Sequence, residues 1–436
     1  MPEDLLALAR RLEGECACGR RHALQTRALY SGGRVPGRLR ALAGDLAAGG
    51  QILCVYDATT KALAGPLVSE ALRGLPQAEA ILLGDEIHAD ERALGQILLR
   101  AGEKTALLLA VGSGTVNDST RLVAHRLKLP YLVLGTAPSM DGYASSVSPV
   151  LDQGMKITYE AVAPEAVLFD EGILAAAPRK MVAAGLGDML GKHIALLDWE
   201  LSQAILGESR CEAVFGLMSE ALARCEKLAP GLAAGEEGAA ARLAEGLTLS
   251  GLAMQMMGNS RPASGAEHHI AHFLEMRQLL RGEKPSLHGD KVGVATLFMI
   301  EFYQKLFQKR REAKPVDLRL WEARLRRGYG PLAGGFLRAA PLEQGEGRTS
   351  VEQYEGYLRH FDGFAQKAAV LAAKREDFAQ MLEAAGGPSA PEGIGATRQD
   401  MKDAMLCAFL LRPRYSALRM AFRLGVLEEI AEEIFA

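Results

Sequence analysis

The chain has 436 residues, more than a single hydrophobic core usually serves, so two domains are expected. Its 49% hydrophobic and 24% charged residues are those of a globular protein, and 50 basic against 53 acidic residues exclude the strongly basic face that nucleic-acid binding requires. Six cysteines dispersed over this length exclude a secreted disulfide framework and imply reduced thiols in a cytoplasmic protein.

Residues 2–14 read as a charged amphipathic helix rather than a signal peptide. No window holds about 18 consecutive uncharged apolar residues, so no membrane span is expected. Cys16-Ala17-Cys18-Gly19-Arg20-Arg21-His22 is half of a zinc motif. A structural zinc needs four ligands, no second pair stands nearby, and the segment reads as a surface turn.

Short apolar runs follow at 52–56, 80–83, 106–111, 131–134 and 166–169, each closed by Asp or Gly. They alternate with amphipathic stretches such as 65–72 and 118–127. Strands alternating with helices at this spacing predict βαβ units and a mostly parallel sheet over residues 1–170. Ligands in such sheets bind beyond the carboxyl ends of the strands. Past Pro178 the apolar residues recur at helical spacing over 181–203, 212–228, 239–257, 266–280, 292–307 and 401–435, which predicts an all-α second domain over 171–436. The Gly/Ala-rich segment 230–241 and the Pro/Gly stretch 384–395 are expected to be solvent loops.

The residues closing the strands carry the first chemistry. Asp57 ends the run 52–56, where an acid can accept hydrogen bonds from an adenosine ribose, although a turn aspartate is the simpler reading. Gly112-Ser113-Gly114-Thr115-Val116-Asn117-Asp118 stands between a strand and a helix, where glycines let backbone approach a pyrophosphate at a helix N-terminus. It lacks the third glycine of the Rossmann fingerprint. Gly135-Thr136-Ala137-Pro138-Ser139-Met140-Asp141-Gly142-Tyr143-Ala144-Ser145 follows the next strand and gathers hydroxyls and a carboxylate in a loop. A polar turn with Ser139 or Asp141 as helix cap is an equal reading.

The densest cluster comes later. Four of nine histidines, His268, His269, His272 and His288, fall within residues 268–288. His268 and His272 share one face of a helix, His269 turns away, and His288 comes from a separate element. Two imidazoles plus a carboxylate make a three-ligand site with open positions for substrate. Asp188 in Gly185-Leu186-Gly187-Asp188 is a candidate third ligand. Lys192, one turn on, either pairs with it or meets an anionic substrate.

Taken together, these motifs with Asp198-Trp199, Ser260 to His272 and Leu287-His288-Gly289-Asp290 resemble the iron-containing alcohol dehydrogenase and dehydroquinate synthase superfamily. Within it they are most similar to the bacterial, AraM-like branch of the sn-glycerol-1-phosphate dehydrogenases. The resemblance implies a dehydroquinate synthase-like fold, metal ligation by Asp188, His268 and His288, and substrate contacts from Asp141, Asp188 and His272. It implies cofactor contacts at Asp57, Gly114, Thr115, Val116, Asn117, Asp118, Thr136, Ala137, Pro138, Ser139 and Ser145. NAD(H), or NADP(H), and one divalent ion (zinc, nickel or iron) are the implied cofactors. The implied reaction is reduction of dihydroxyacetone phosphate, and a homodimer fits the family. Lys192 and Arg261 are the candidates to meet the phosphate, and His272 or Asp141 to relay the proton. The rivals are a polyol dehydrogenase of the same superfamily, and a dehydroquinate-synthase-like lyase, for which Glu rather than Asp is expected at 188.

Overall fold

The computed structural model describes residues 5–84, 87–340, 342 and 350–436. By packing, the chain divides into a unit of Met1–Met189 with Ala213–Ser260 and a unit of Leu190–Glu212 with Arg261–Ala436. The N-terminal amphipathic helix appears as α1 (Leu5–Arg10), with residues 2–4 outside the described ones. A small antiparallel hairpin follows, β1 (Gly14–Glu15) with β2 (Arg21–His22).

The first unit is built on a six-stranded sheet of β3 (Ala28–Ser31), β4 (Gln51–Asp57), β5 (Gln77–Leu82), β6 (Thr105–Gly112), β7 (Tyr131–Gly135) and, after a hairpin, β10 (Ala166–Phe169). Every pairing in it is parallel. The helices between the strands are α2 (Val35–Ala47), α3 (Ala58–Ala71), α4 (Glu91–Leu98) and α5 (Gly114–Leu127). Strands β4, β6, β7 and β10 are buried on both faces, which is why each reads as an unbroken apolar run. On one side Leu39, Ile52, Val68, Leu109 and Leu134 share a core.

Strand order is β3-β10-β7-β6-β4-β5. From β4 the chain goes to β5 on one side and then returns to β6 on the other. The topological switch point therefore lies between β4 and β6, and a ligand crevice is expected at their carboxyl ends. Among the elements that had escaped the sequence pattern are the edge strand β3 and the antiparallel hairpin of β8 (Val147–Asp152) and β9 (Met155–Glu160). That hairpin turns on Gln153 and Gly154, both at positive φ.

Beyond β10 the chain is helical: α6 (Glu171–Ala175), α7 (Arg179–Leu206), α8 (Glu212–Ala234), α9 (Ala239–Met257), α10 (Ala266–Leu280) and α11 (His288–Gln308). Then come α12 (Leu318–Tyr329), α13 (Ala333–Ala339), α14 (Ser350–Ala373), α15 (Arg375–Ala385), α16 (Arg398–Cys407), α17 (Ala417–Arg423) and α18 (Leu427–Phe435). Three expectations need correction. The loop foreseen over 230–241 shrinks to 235–238, because α8 continues through Pro230. The stretch 384–395 holds the end of α15 and a 3-10 turn that buries Pro391 and Ile394. The periodic stretch 401–435 is three helices, broken around Pro413, which cannot supply a helical N–H. No helix among the described residues is long and apolar enough to cross a membrane.

Candidate functional site

In the sheet-bearing unit the expected cofactor residues gather at the switch point. Gly114 to Asp118 form the first turn of α5, directly beyond β6. Ser113 is the N-cap but makes no side-chain cap bond, which leaves the amides of this turn for an anion. Asp57 ends β4 and caps α3: its Oδ1 accepts from Thr60 N–H at 2.7 Å in a capping box. Thr136, Ala137, Pro138 and Ser139 follow β7 and are buried, as is Ser145.

Arg121, absent from the sequence reading, organises this loop. Fully buried, it donates to Tyr131 Oη (2.8 Å), Asp118 Oδ1 (2.7 Å) and Val147 O (2.8 Å). Burial pushes the Asp118 carboxyl up to about 6 against the pull of Arg121. The i,i+3 spacing of Asp118 and Arg121 was the available signal. Asn117 Nδ2 donates to Gly142 O at 3.3 Å, so the helix also grips the 3-10 turn carrying Asp141. Asp141 is not a side-chain cap for that turn. Its carboxylate accepts from Ser250 Oγ (2.9 Å), and its amide donates to Asp188 Oδ2 (2.9 Å).

Asp188 lies on α7. The surface ion-pair reading of Asp188 and Lys192 fails, because both side chains are fully buried.

In the helical unit, α10 and α11 bring three histidines together. Ring centroids are 5.2 Å apart for His268–His288 and for His272–His288, and 6.2 Å for His268–His272. Ring nitrogens of His268 and His288 lie within 4.8 Å of each other. Glu267, not a ligand in the sequence reading, accepts from Gly265 N–H (2.8 Å) and from His268 Nδ1–H (2.6 Å). That bond fixes the tautomer and leaves Nε2 of His268 with a lone pair able to bind a metal. His269 points the other way, into the protein. Burial first, then Arg412, Arg414 and Arg419, hold it well below the ordinary histidine range and hence neutral.

Arg261 is committed elsewhere: it donates to Tyr415 O (2.8 Å) and Glu208 Oε2 (2.6 Å), which corrects its candidacy as a phosphate anchor. Lys291, one turn after His288, is a buried cation that the sequence reading passed over. Its Nζ donates to Ser286 O at 2.9 Å and lies 3.9 Å from Glu275.

Residues 33–178 match the family described as iron-containing alcohol dehydrogenase. A glycerol-1-phosphate dehydrogenase [NAD(P)+] of Halalkalibacterium halodurans is 40% identical over 71% of this chain and 78% of its own. Its counterpart in Bacillus subtilis is 34% identical over 85% of this chain and 84% of its own. Among solved structures, NADH-dependent butanol dehydrogenase A of Thermotoga maritima superposes with a TM-score of 0.62 at 16% identity, covering 96% of this chain and 99% of that one. A probable glycerol dehydrogenase of Sinorhizobium meliloti gives 0.62 at 15% identity, covering 94% and 98%. These structures share the fold, and with it the dehydroquinate synthase-like architecture expected from the motifs. Sequence identity of this extent shows that the chain belongs to the glycerol-1-phosphate dehydrogenase family.

Proposed function

We propose that the chain catalyses the reversible NAD(P)(H)-dependent reduction of dihydroxyacetone phosphate to sn-glycerol 1-phosphate, with Asp188, His268 and His288 as ligands of one divalent ion. The observation that carries this is the His268–His288 pair, with its tautomer set by Glu267, in a chain of this family. Two imidazole nitrogens within 4.8 Å of each other fit a divalent ion, and zinc, nickel and iron(II) all accept such ligands. Asp188 is the third ligand of this reading, as the resemblance of its motif implies, and Gly191 follows it on α7. A Cβ on Gly191 would meet Val292 at 2.5 Å and Glu267 at 3.3 Å, so this face of α7 is the one turned to the starts of α11 and α10.

A bound divalent ion supplies Lewis-acid polarisation of the substrate's ketone oxygen, and the nicotinamide supplies hydride. The remaining work belongs to side chains. The Asp141 amide orients the Asp188 carboxylate. His272, whose ring lies 5.2 Å from that of His288, is the residue assigned to pass a proton to the nascent alcohol, and Asp141 is the alternative relay. The first turn of α5 holds the pyrophosphate, residues 136–139 and Ser145 line the dinucleotide, and Asp57 favours NAD by repelling a 2′-phosphate. Lys192 remains the candidate for the substrate phosphate. In this reading residues 1–170 bind the dinucleotide and residues 171–436 the metal and substrate. The enzyme works in the cytoplasm as a homodimer.

The test is a steady-state assay with dihydroxyacetone phosphate and NADH or NADPH, after chelation and stepwise return of zinc, nickel or iron. Activity should vanish on chelation and return with metal, and His268→Ala should lose active-site metal and activity together. A metal-free His268→Ala variant that retained activity would sink the mechanism. Equal turnover of unphosphorylated dihydroxyacetone would favour the polyol dehydrogenase reading instead.

A further inference from the structure

The hairpin β1–β2 is the surface turn that its sequence implied, but Cys16 and Cys18 are half-buried in it and His22 is buried. Cys16 N–H donates to Arg20 O (3.0 Å), and Gly19 N–H donates to Cys16 O (2.9 Å). Gly19 has φ +80°, a left-handed conformation that glycine adopts without strain, and this lets the chain double back within five residues of Cys16. The turn brings Cys16, Cys18 and His22 together, with ligand atoms within 4.8 Å of one another. His22 is only 1% exposed.

The tautomer of His22 can be assigned. Its Nδ1 lies 2.9 Å from Met256 O, and since a carbonyl only accepts, Nδ1 carries the proton. Nε2 is then a lone pair, 3.5 Å from Cys18 Sγ. A tetrahedral zinc with bonds of about 2.3 Å to sulfur and about 2.1 Å to nitrogen keeps those two atoms about 3.6 Å apart. A carbonyl that accepts from the other ring nitrogen and so orients a histidine ligand is a usual feature of zinc sites. Arg20 Nη1 donates to Met257 O at 3.3 Å, so the hairpin is fastened to the end of α9.

We propose that Cys16, Cys18 and His22 supply three ligands of a zinc ion separate from the catalytic metal. Two thiolates and an imidazole are ordinary zinc ligands, and the ion would clamp the two strands of the hairpin together beside the end of α9. Binding releases the thiol protons and ties the hairpin's stability to zinc. This inference is independent of the reaction assigned above.

The test counts metal on the full-length protein, reconstituted with excess zinc under reducing conditions and gel-filtered. About two equivalents per chain are expected for wild type, and about one for either His268→Ala or the double variant Cys16→Ser/Cys18→Ser. His22→Cys, which keeps all three ligand positions, should retain both. Cobalt(II)-loaded wild type and cobalt(II)-loaded His268→Ala should both show a thiolate-to-cobalt charge-transfer band, because the catalytic ligands include no sulfur. One equivalent in wild type with none in His268→Ala, no thiolate band in the cobalt protein, or a disulfide among these cysteines after reduction would each overturn the proposal. The wild-type readings stand even where a cysteine variant fails to fold.

Discussion

At Gly185 a single hydrogen decides whether helix and loop can meet. A Cβ there would sit 1.8 Å from Pro138 O and 2.9 Å from Pro138 C, against backbone that cannot rotate away. The loop in question carries Ala137, Pro138 and Ser139 of the proposed dinucleotide site. Gly191, on the same helix, differs in kind, since a Cβ there would meet Val292 Cγ1 at 2.5 Å, a side chain rather than backbone. Alanine gains about 1 kcal/mol of helix propensity over glycine at either position. At 185 the clash outweighs that gain. Gly185→Ala should cost about 1–3 kcal/mol by urea denaturation and weaken NADH binding, whereas Gly191→Ala should change stability by less. Equal losses would show that backbone approach is not what glycine secures at 185.

At the scale of elements, α10 presents His268 and His272 on one face and is fixed at its far end by charge. Arg281 donates to Asp400 Oδ1 at 2.6 Å, Arg277 lies 3.4 Å from the same oxygen, and Asp400 closes a capping box with Thr397 at the start of α16. Burial pushes the Asp400 carboxyl up, but Arg281 and the Thr397 cap pull it below the ordinary carboxylate range. A depressed pKa means that the ionised form favours the folded state. The contribution is therefore whole above the unfolded value near pH 4 and is lost as pH falls through the folded value. Asp400→Asn should cost about 2 kcal/mol at pH 7, with the gap to wild type narrowing in solutions more acid than about pH 4. Thermal melts across pH check this, and a gap unchanged by acid would refute it.

The same scale shows why some elements were legible. Strands β4, β6, β7 and β10 are buried on both faces, so their apolar runs appear unaided. Helices α9 and α10 begin and end where the periodicity does, at Ala239–Met257 and Ala266–Leu280. Strand β3 has four residues at the sheet edge, only partly buried, and leaves no such run. The site followed the same division. Histidines one turn apart on a helix are visible in sequence. The grip of Arg121 on Tyr131 and Val147, and the link between Asp141 and Ser250, depend on residues that only folding brings together.

Across the whole molecule the clearest product of long-range assembly is Asp198. Its Oδ2 accepts from Ala266 N–H at 2.7 Å, at the first residue of α10, and its Oδ1 from Tyr303 Oη–H at 2.5 Å and Ala417 N–H at 2.8 Å. One carboxylate on α7 thus joins the starts of α10 and α17 to the last third of α11, and so fixes the start of the helix that carries His268. Burial pushes its pKa up to about 6, with Glu267 adding to the rise and Tyr303 opposing it. A raised carboxyl pKa has the opposite sign from Asp400: the folded state binds the extra proton, so this group's contribution is greatest below about pH 4 and declines as pH rises through about 6. In Asp198→Asn the amide puts a donor against one of three donors, which should cost about 1–3 kcal/mol at pH 7. Because the variant cannot take up the proton, its deficit should widen as pH falls from 7 to 5, as measured by urea denaturation at each pH. A deficit that stayed constant or narrowed over that interval would mean that Asp198 does not titrate there.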